Sequence, residues 1–170
     1  MAKTIEIDRT RRLHEEPAKG HNRWHFDLAP VLEVSPGETL AIQTRDASDG
    51  QIRPGMTAAD MATMDRKAAH PLTGPVYVEG AQPGDLLEVE YLEIVPERHG
   101  WTRFIPGFGF LPELFERPFV VHWDIGPDWA SSAALPGVRI PNGAFMGTAG
   151  VAPSREQLGR WSAREAELHA

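Results

Sequence analysis

The sequence has 170 residues, a formal net charge of −7 and no cysteine. That is enough chain for one domain with a real core, but it offers no basic stripe for nucleic-acid phosphates. Disulfides and thiolate metal sites are excluded, so any metal must be held by His, Asp, Glu or backbone oxygen. No apolar run reaches the ~18 residues of a membrane span, and the N-terminal stretch has no apolar signal core. The default compartment is the cytoplasm.

Sixteen glycines and fifteen prolines favour a turn-rich β protein over a helical bundle. Residues 4–7 (TIEI) alternate and read as a first strand. In residues 21–27 (HNRWHFD), an extended backbone would put His21, Arg23 and His25 on one face and Asn22, Trp24 and Phe26 on the other. Either His21 or His25 is then a candidate for a metal or substrate site. Ser35-Pro36-Gly37-Glu38 is a tight turn between residues 31–34 (VLEV) and 39–44 (TLAIQT), and the pair reads as a hairpin. That second strand runs into Asp46 and Asp49-Gly50. Asp46, at a strand end, is the better cation ligand, while Asp49-Gly50 reads as a turn.

Residues 57–69 read as a helix, with Thr57 as N-cap and Asp60 three residues on. Met61 and Met64 belong to its core-facing side. Residues 70–85 (HPLTGPVYVEGAQPGD) are a histidine, a loop, a strand, and a type II turn at Gln82-Pro83-Gly84-Asp85. His70 enters that strand and Glu79 leaves it, at the positions where loops carry chemistry on a rigid scaffold. Residues 85–95 (DLLEVEYLEIV) form the strongest alternating pattern and predict a strand. Residues 98–118 combine aromatics, glycines and prolines, which fits neither a regular central strand nor a long helix. The stretch reads as an apolar loop, whether a pocket wall, an interface patch or a stretch packed over a sheet, and it puts Trp101, Phe104, Ile105, Phe108, Phe110, Leu111, Leu114 and Phe115 close together, more apolar surface than a monomer normally exposes. Residues 119–124 (FVVHWD) and 138–140 are strands. Residues 154–168 are a second helix with a Ser154/Gln157 capping box, docked by Trp161 or by a partner.

The expected architecture is therefore one mainly β domain over residues 1–170, a β-sandwich with two short helices. Val31, Leu40, Ile42, Val76, Val78, Leu87, Val89 and Val121 are the expected inward residues.

Several of these segments together resemble the acetamidase/formamidase family: HNRW, PVLEVSPGETLAIQTRDASDGQI, HPLTGPVYVEGAQPGD, GWTRFIPGFGFL and IPNGAFMGTAGVAPS. The resemblance implies hydrolysis of the C–N bond of small amides such as formamide or acetamide. It also implies a divalent metal ion, zinc or calcium, with His21, Asp46 and His70 in or near its site. Glu79 is a weaker carry-over and a candidate catalytic carboxylate. The family continues into further segments, a GGN[ML]D motif and a GDGHxxQGDGE-like motif, that this chain lacks. The resemblance thus implies half of a family-like site, in a subunit, a fragment or a shortened relative. The expected partners are a second subunit carrying the C-terminal half or another copy of the chain. A non-catalytic binding module derived from the family is the alternative.

Overall fold

In the computed structural model, which describes residues 2–107 and 109–168, short strands dominate and one α-helix is present. Phe108, one of the expected patch residues, lies outside the described residues. Backbone contacts divide the chain into two units: residues 1–50, 66–88 and 148–170 form one, and Gln51–Asp65 with Val89–Gly147 form the other.

The first unit is built from three strand pairs. Strand β1 (Lys3–Ile5) runs parallel to β4 (Leu40–Ile42), with Ile5 opposite Ile42. Ile5 and Ile7 are buried, as their alternation with Thr4 and Glu6 predicts. Strand β2 (Gly20–His21) pairs antiparallel with β5 (Leu72–Thr73), His21 facing Leu72. Gly20 is required there, because a Cβ would lie 2.3 Å from the Leu72 carbonyl oxygen. Strand β3 (Leu32–Val34) runs parallel to β6 (Val76–Val78), and the ladder is prolonged by Val31 N–H to Pro75 O and Glu79 N–H to Val34 O.

This pairing corrects the expected hairpin. The turn at Ser35–Glu38 exists, closed by Glu38 N–H on Ser35 O at 3.2 Å, but β3 and β4 join different partners. Gly37, the third residue of the turn, has φ +84°, which marks type II. Turns of that hand splay the flanking strands, whereas hairpins use the mirror-image types. Gln82-Pro83-Gly84-Asp85 repeats the design, with Gly84 at φ +104°. In both turns the fourth residue's carboxylate accepts the first residue's N–H: Glu38 from Ser35 at 2.7 Å and Asp85 from Gln82 at 2.8 Å.

The expected helix over residues 57–69 is replaced by two short 3-10 turns, Ala59–Thr63 and Arg66–Ala68. Its start signal is real, since Thr57 donates both its N–H and its hydroxyl to Asp60 Oδ2. Its continuation fails at Asp65, whose N–H goes to Gln51 Oε1 at 2.8 Å, while Gln51 Nε2 donates to Asp65 O at 3.0 Å. These reciprocal bonds close Gln51–Asp65 into a loop with joined ends, in which Ile52 and Met61 are buried.

The second unit holds a four-stranded antiparallel sheet ordered β10-β9-β8-β7. Its strands are β7 (His99–Phe104), β8 (Phe119–Ile125), β9 (Trp129–Ser131) and β10 (Arg139–Pro141). Strand β7 corrects the expectation for residues 98–118, whose first part is strand rather than loop. It occupies the sheet edge, where one side of the backbone needs no partner. Beyond it the chain folds back and Phe115 meets Phe104 at 5.3 Å between ring centroids. Val121 on β8 is buried.

The strong pattern at residues 85–95 forms no strand in a ladder among the described residues. Leu86 is 97% and Leu92 67% exposed, and Leu87 and Val89, expected in the core, are exposed as well. Alternation reports what a segment can bury, and a strand also needs an edge to pair with. Of the other expected inward residues, Val121 is buried, Val31, Leu40, Val76 and Val78 are half-buried, and Ile42 is exposed.

Helix α1 (Arg155–Leu168) starts as predicted, Ser154 Oγ accepting the Gln157 N–H at 3.1 Å. It buries no residue, and Trp161 is exposed. Its anchor is its first residue instead: the Arg155 guanidinium lies 4.2 Å from the Phe26 ring centroid and 3.8 Å from Asp27 Oδ2, a cation–π contact backed by an ion pair.

Candidate functional site

Strand β4 delivers the chain to Asp46, whose carboxylate folds over the following turn. Oδ1 accepts the Ser48 N–H at 2.8 Å and the Ser48 hydroxyl at 2.5 Å, and Oδ2 accepts the Gly50 N–H at 2.6 Å. Asp49 and Gly50 both take positive φ, +58° and +71°. Acidic side chains tolerate that region because they bond locally. The turn expected at Asp49-Gly50 is present, and its Asp49 side chain is drawn inward. Asp49 is 2% exposed, accepts the Leu13 N–H on both oxygens at 3.0 and 3.1 Å, and faces Arg12 Nε at 3.7 Å and Arg45 Nε at 4.0 Å. Arg45 continues to Glu16 at 2.5 Å. This buried ion network fixes the base of the Asp46 turn.

His70 sits beside that turn. Its N–H donates to the Ala47 carbonyl at 2.9 Å, and its φ of +57° swings it out of the line of β5, so the ring is exposed. Ala69, His70 and Leu72 line a cleft of about 320 Å³, with Asn22, Arg23, Trp24 and Thr148 completing its walls. Asn22 braces the two sides by donating Nδ2–H to the Lys67 carbonyl at 2.6 Å.

His21 reaches the same region through β2. The chain bends at residues 22 and 23, so the expected common face of His21, Arg23 and His25 is lost, and His21 turns its ring edge-on to Trp24 at 6.0 Å. Its Nδ1 is buried without a hydrogen-bond partner among the described residues. Burial lowers the His21 pKa, against a smaller opposing effect of the Arg23 backbone, so the ring is held neutral with a lone pair available. His25 is spent locally, accepting the Asp27 N–H at 3.1 Å and stacking on Phe26. Glu79 accepts the Ser35 hydroxyl at 2.7 Å at the exit of β6.

Backbone therefore brings His21, Asp46 and His70 onto adjoining segments, and of these His70 lines the cleft. Among the described residues, no three His, Cys, Asp or Glu side chains gather closely enough to hold one ion. The donor types suit a divalent cation, and the orphaned Nδ1 of His21 is the atom that fits a ligand role most directly.

A second histidine site escaped the sequence reading. His99 on β7 and His122 on β8 stack with ring centroids 5.2 Å apart, and His99 Nε2 meets His122 Nδ1 at 2.9 Å. His122 Nε2 lies 2.7 Å from the Met56 carbonyl, which can only accept. In the neutral pair Nδ1 of His122 is therefore the acceptor and His99 Nε2–H the donor. The pair ties the Gln51–Asp65 loop to the sheet, helped by Arg103 donating to Met64 Sδ at 3.2 Å. Alternation places His122 on a face of β8, but nothing in the spacing links it to a residue 23 positions earlier.

A sequence profile of the Acetamidase/Formamidase family matches residues 6–170. The chain belongs to that family. It is similar to the acetamidase of Mycolicibacterium smegmatis, 34% identical over 98% of this chain and 44% of that protein. It is also similar to the formamidase of Methylophilus methylotrophus, 32% identical over 100% of this chain and 43% of that protein. Among solved structures, a gamma lactamase from Delftia acidovorans superposes with a TM-score of 0.93 and 33% identity, over 98% of this chain and 42% of that one. This acetamidase/formamidase family member thus spans less than half the length of each of these relatives.

Proposed function

We propose that this chain contributes the amide-binding cleft and the first metal ligands of an amidase that converts small linear amides to carboxylate and ammonia. The observation that carries the reading is the match to an acetamidase and a formamidase across 98% and 100% of the chain. The cleft beside His70 supports it as a place for a small polar substrate. His21, Asp46 and His70 would hold a divalent ion, zinc or calcium. Such an ion, when bound, polarises the amide carbonyl and makes bound water a nucleophile near neutral pH. His21 serves this by staying neutral, and Asp46 by keeping its turn closed beside His70. Glu79 is the carboxylate we put forward for protonating the leaving ammonia, a role that requires its release from Ser35.

The remaining ligands would come from a second half, in another subunit or further sequence, or from another copy of this chain. The half-length coverage of the relatives supports that reading. We read the strands as parts of a sandwich, because β8 buries Val121 while exposing Asp124, the pattern of a sheet covered on one side. Among the described residues no helix is long and apolar enough to cross a membrane. A cytoplasmic setting is our proposal, supported by the absence of cysteine.

One observation favours a non-catalytic binding module instead: the lack of a gathered ligand trio among the described residues. Metal analysis with an ammonia-release assay on formamide and acetamide, for the chain alone and with a second half, separates the two. The amidase reading expects metal and activity to rise together on adding the second half, and His70→Ala to lower both. Full activity of the isolated chain would remove the need for a partner. Metal content unchanged by His70→Ala would remove its ligand role, and amide turnover absent from every assembly would leave the binding module.

A further inference from the structure

The cleft has chemically distinct walls. Trp24, Ala69 and Leu72 are apolar, whereas Arg23, His70, Asn22 and Thr148 bring polar atoms. Asn22 spends its NH₂ on the Lys67 carbonyl, which fixes its Oδ1 as a remaining acceptor, the partner an amide N–H needs. No carboxylate lines the cleft among the described residues, which disfavours a cationic ligand, and the Arg23 guanidinium on its wall is turned onto the Asn22 and Lys67 carbonyls.

Trp24 is the largest of these side chains, and its position is set from outside the cleft. At Gly150 a Cβ would lie 3.1 Å from Trp24 Cη2 and 3.5 Å from Cζ3. The indole therefore occupies space that exists because residue 150 has no side chain. The His21 ring meets it edge-to-face. A large ring held by backbone on one flank and an aromatic edge on another is a rigid wall, and a rigid wall discriminates substrates by size.

We propose that Trp24, positioned by Gly150, is the specificity-determining wall for the acyl group, restricting the cleft to amides with short acyl chains. This rests on the amidase reading for its chemistry, but its binding half can be tested separately. In the competent assembly, kcat/KM is measured for formamide, acetamide, propionamide and butyramide. Trp24→Ala is expected to raise the butyramide-to-acetamide ratio by about tenfold or more, the scale of one or two methylenes in a pocket. Gly150→Ala is expected to displace the indole and change the acetamide-to-formamide ratio by at least about threefold, a fraction of that scale. Ratios constant within about twofold in both variants overturn the proposal.

The second measurement is titration of the full chain with acetamide, followed by the Trp24 indole N–H resonance, assigned by its loss in Trp24→Phe. A saturable shift of that resonance supports the cleft even if no assembly turns over amide, which would sink the amidase reading alone. An unmoved Trp24 resonance overturns the proposal whatever the activity.

Discussion

Replacing Asp49 by alanine removes the acceptor on which three cationic or polar groups converge. Asp49 is 2% exposed. It takes the Leu13 N–H on both oxygens and faces Arg12 and Arg45. Arg12 Nε is buried with no hydrogen bond among the described residues, so without Asp49 it keeps no counter-charge at that atom. Breaking a buried pair by deleting one partner costs about 3–5 kcal/mol. Arg45 retains Glu16 and the carbonyls of Asp8 and Arg11, which points to the lower half of that range, while alanine at φ +58° adds about 1 kcal/mol. We expect a net loss of about 4–5 kcal/mol. Asp49→Asn keeps the shape, one acceptor oxygen and the tolerance of that backbone region but removes the same counter-charge, so its loss should be about 3–4 kcal/mol, the buried-pair cost without the backbone strain. Urea unfolding monitored by circular dichroism reads both as lowered midpoints at unchanged slope. A loss below about 1 kcal/mol for alanine, far under the buried-pair cost, would refute the argument that the network anchors the Asp46 turn.

Three further outcomes are expected. Because burial lowers the His21 pKa, the unfolded chain binds more protons than the folded one just below the ordinary histidine value. Stability from this group is complete above pH ~6.5 and falls as pH drops from there toward the folded pKa. His21→Phe should flatten this part of the melting-temperature profile, and an identical profile would contradict it. Gly20→Ala places a Cβ 2.3 Å from the Leu72 oxygen, so the β2–β5 pair must open; faster amide exchange at Gly74, whose N–H donates to Lys19 O, is the readout, and unchanged protection argues against it. His122→Phe strips the Met56 carbonyl of its donor, at about 1 kcal/mol. It should raise exchange selectively within Gln51–Asp65, and a loop as protected as before would show that the histidine pair does not hold it.

Local chemistry was legible where it is self-contained. Both Pro-Gly turns, the Ser154 cap and strand β8 follow from residues within four or seven positions of each other, and the structure has them. Pairing was not legible, because β1–β4 and β3–β6 join segments that are distant in sequence and parallel, and alternation names a strand without naming its neighbour. The hairpin expectation failed for that reason, through the hand of one turn. At the site, His70 near Asp46 was expected from strand-end positions together with the family resemblance, and the structure sets His70 beside the Asp46 turn. The turn at Asp49-Gly50 was legible, but the partners of its carboxylate were not, because Asp-Gly is turn chemistry whether the carboxylate points to water or into two arginines. His99 was missed because it lies in an aromatic, proline-interrupted stretch in which residues 99–104 turn out to be an edge strand.

The unpaired residues 85–95 carry a liability together with its guard. A bare segment of alternating Leu87, Val89 and Tyr91 is a template for pairing between copies, the route to fibrils. Glu88, Glu90 and Glu93 are threaded through it, in a chain already carrying a net charge of −7. Two such segments laid side by side would stack glutamate against glutamate, which is unfavourable directly across a ladder. A strand bearing lysine or arginine at the facing positions would meet no such repulsion. The same residues that keep the segment from its own kind therefore leave it open to a basic edge, and added salt, by screening both effects, should make it less choosy.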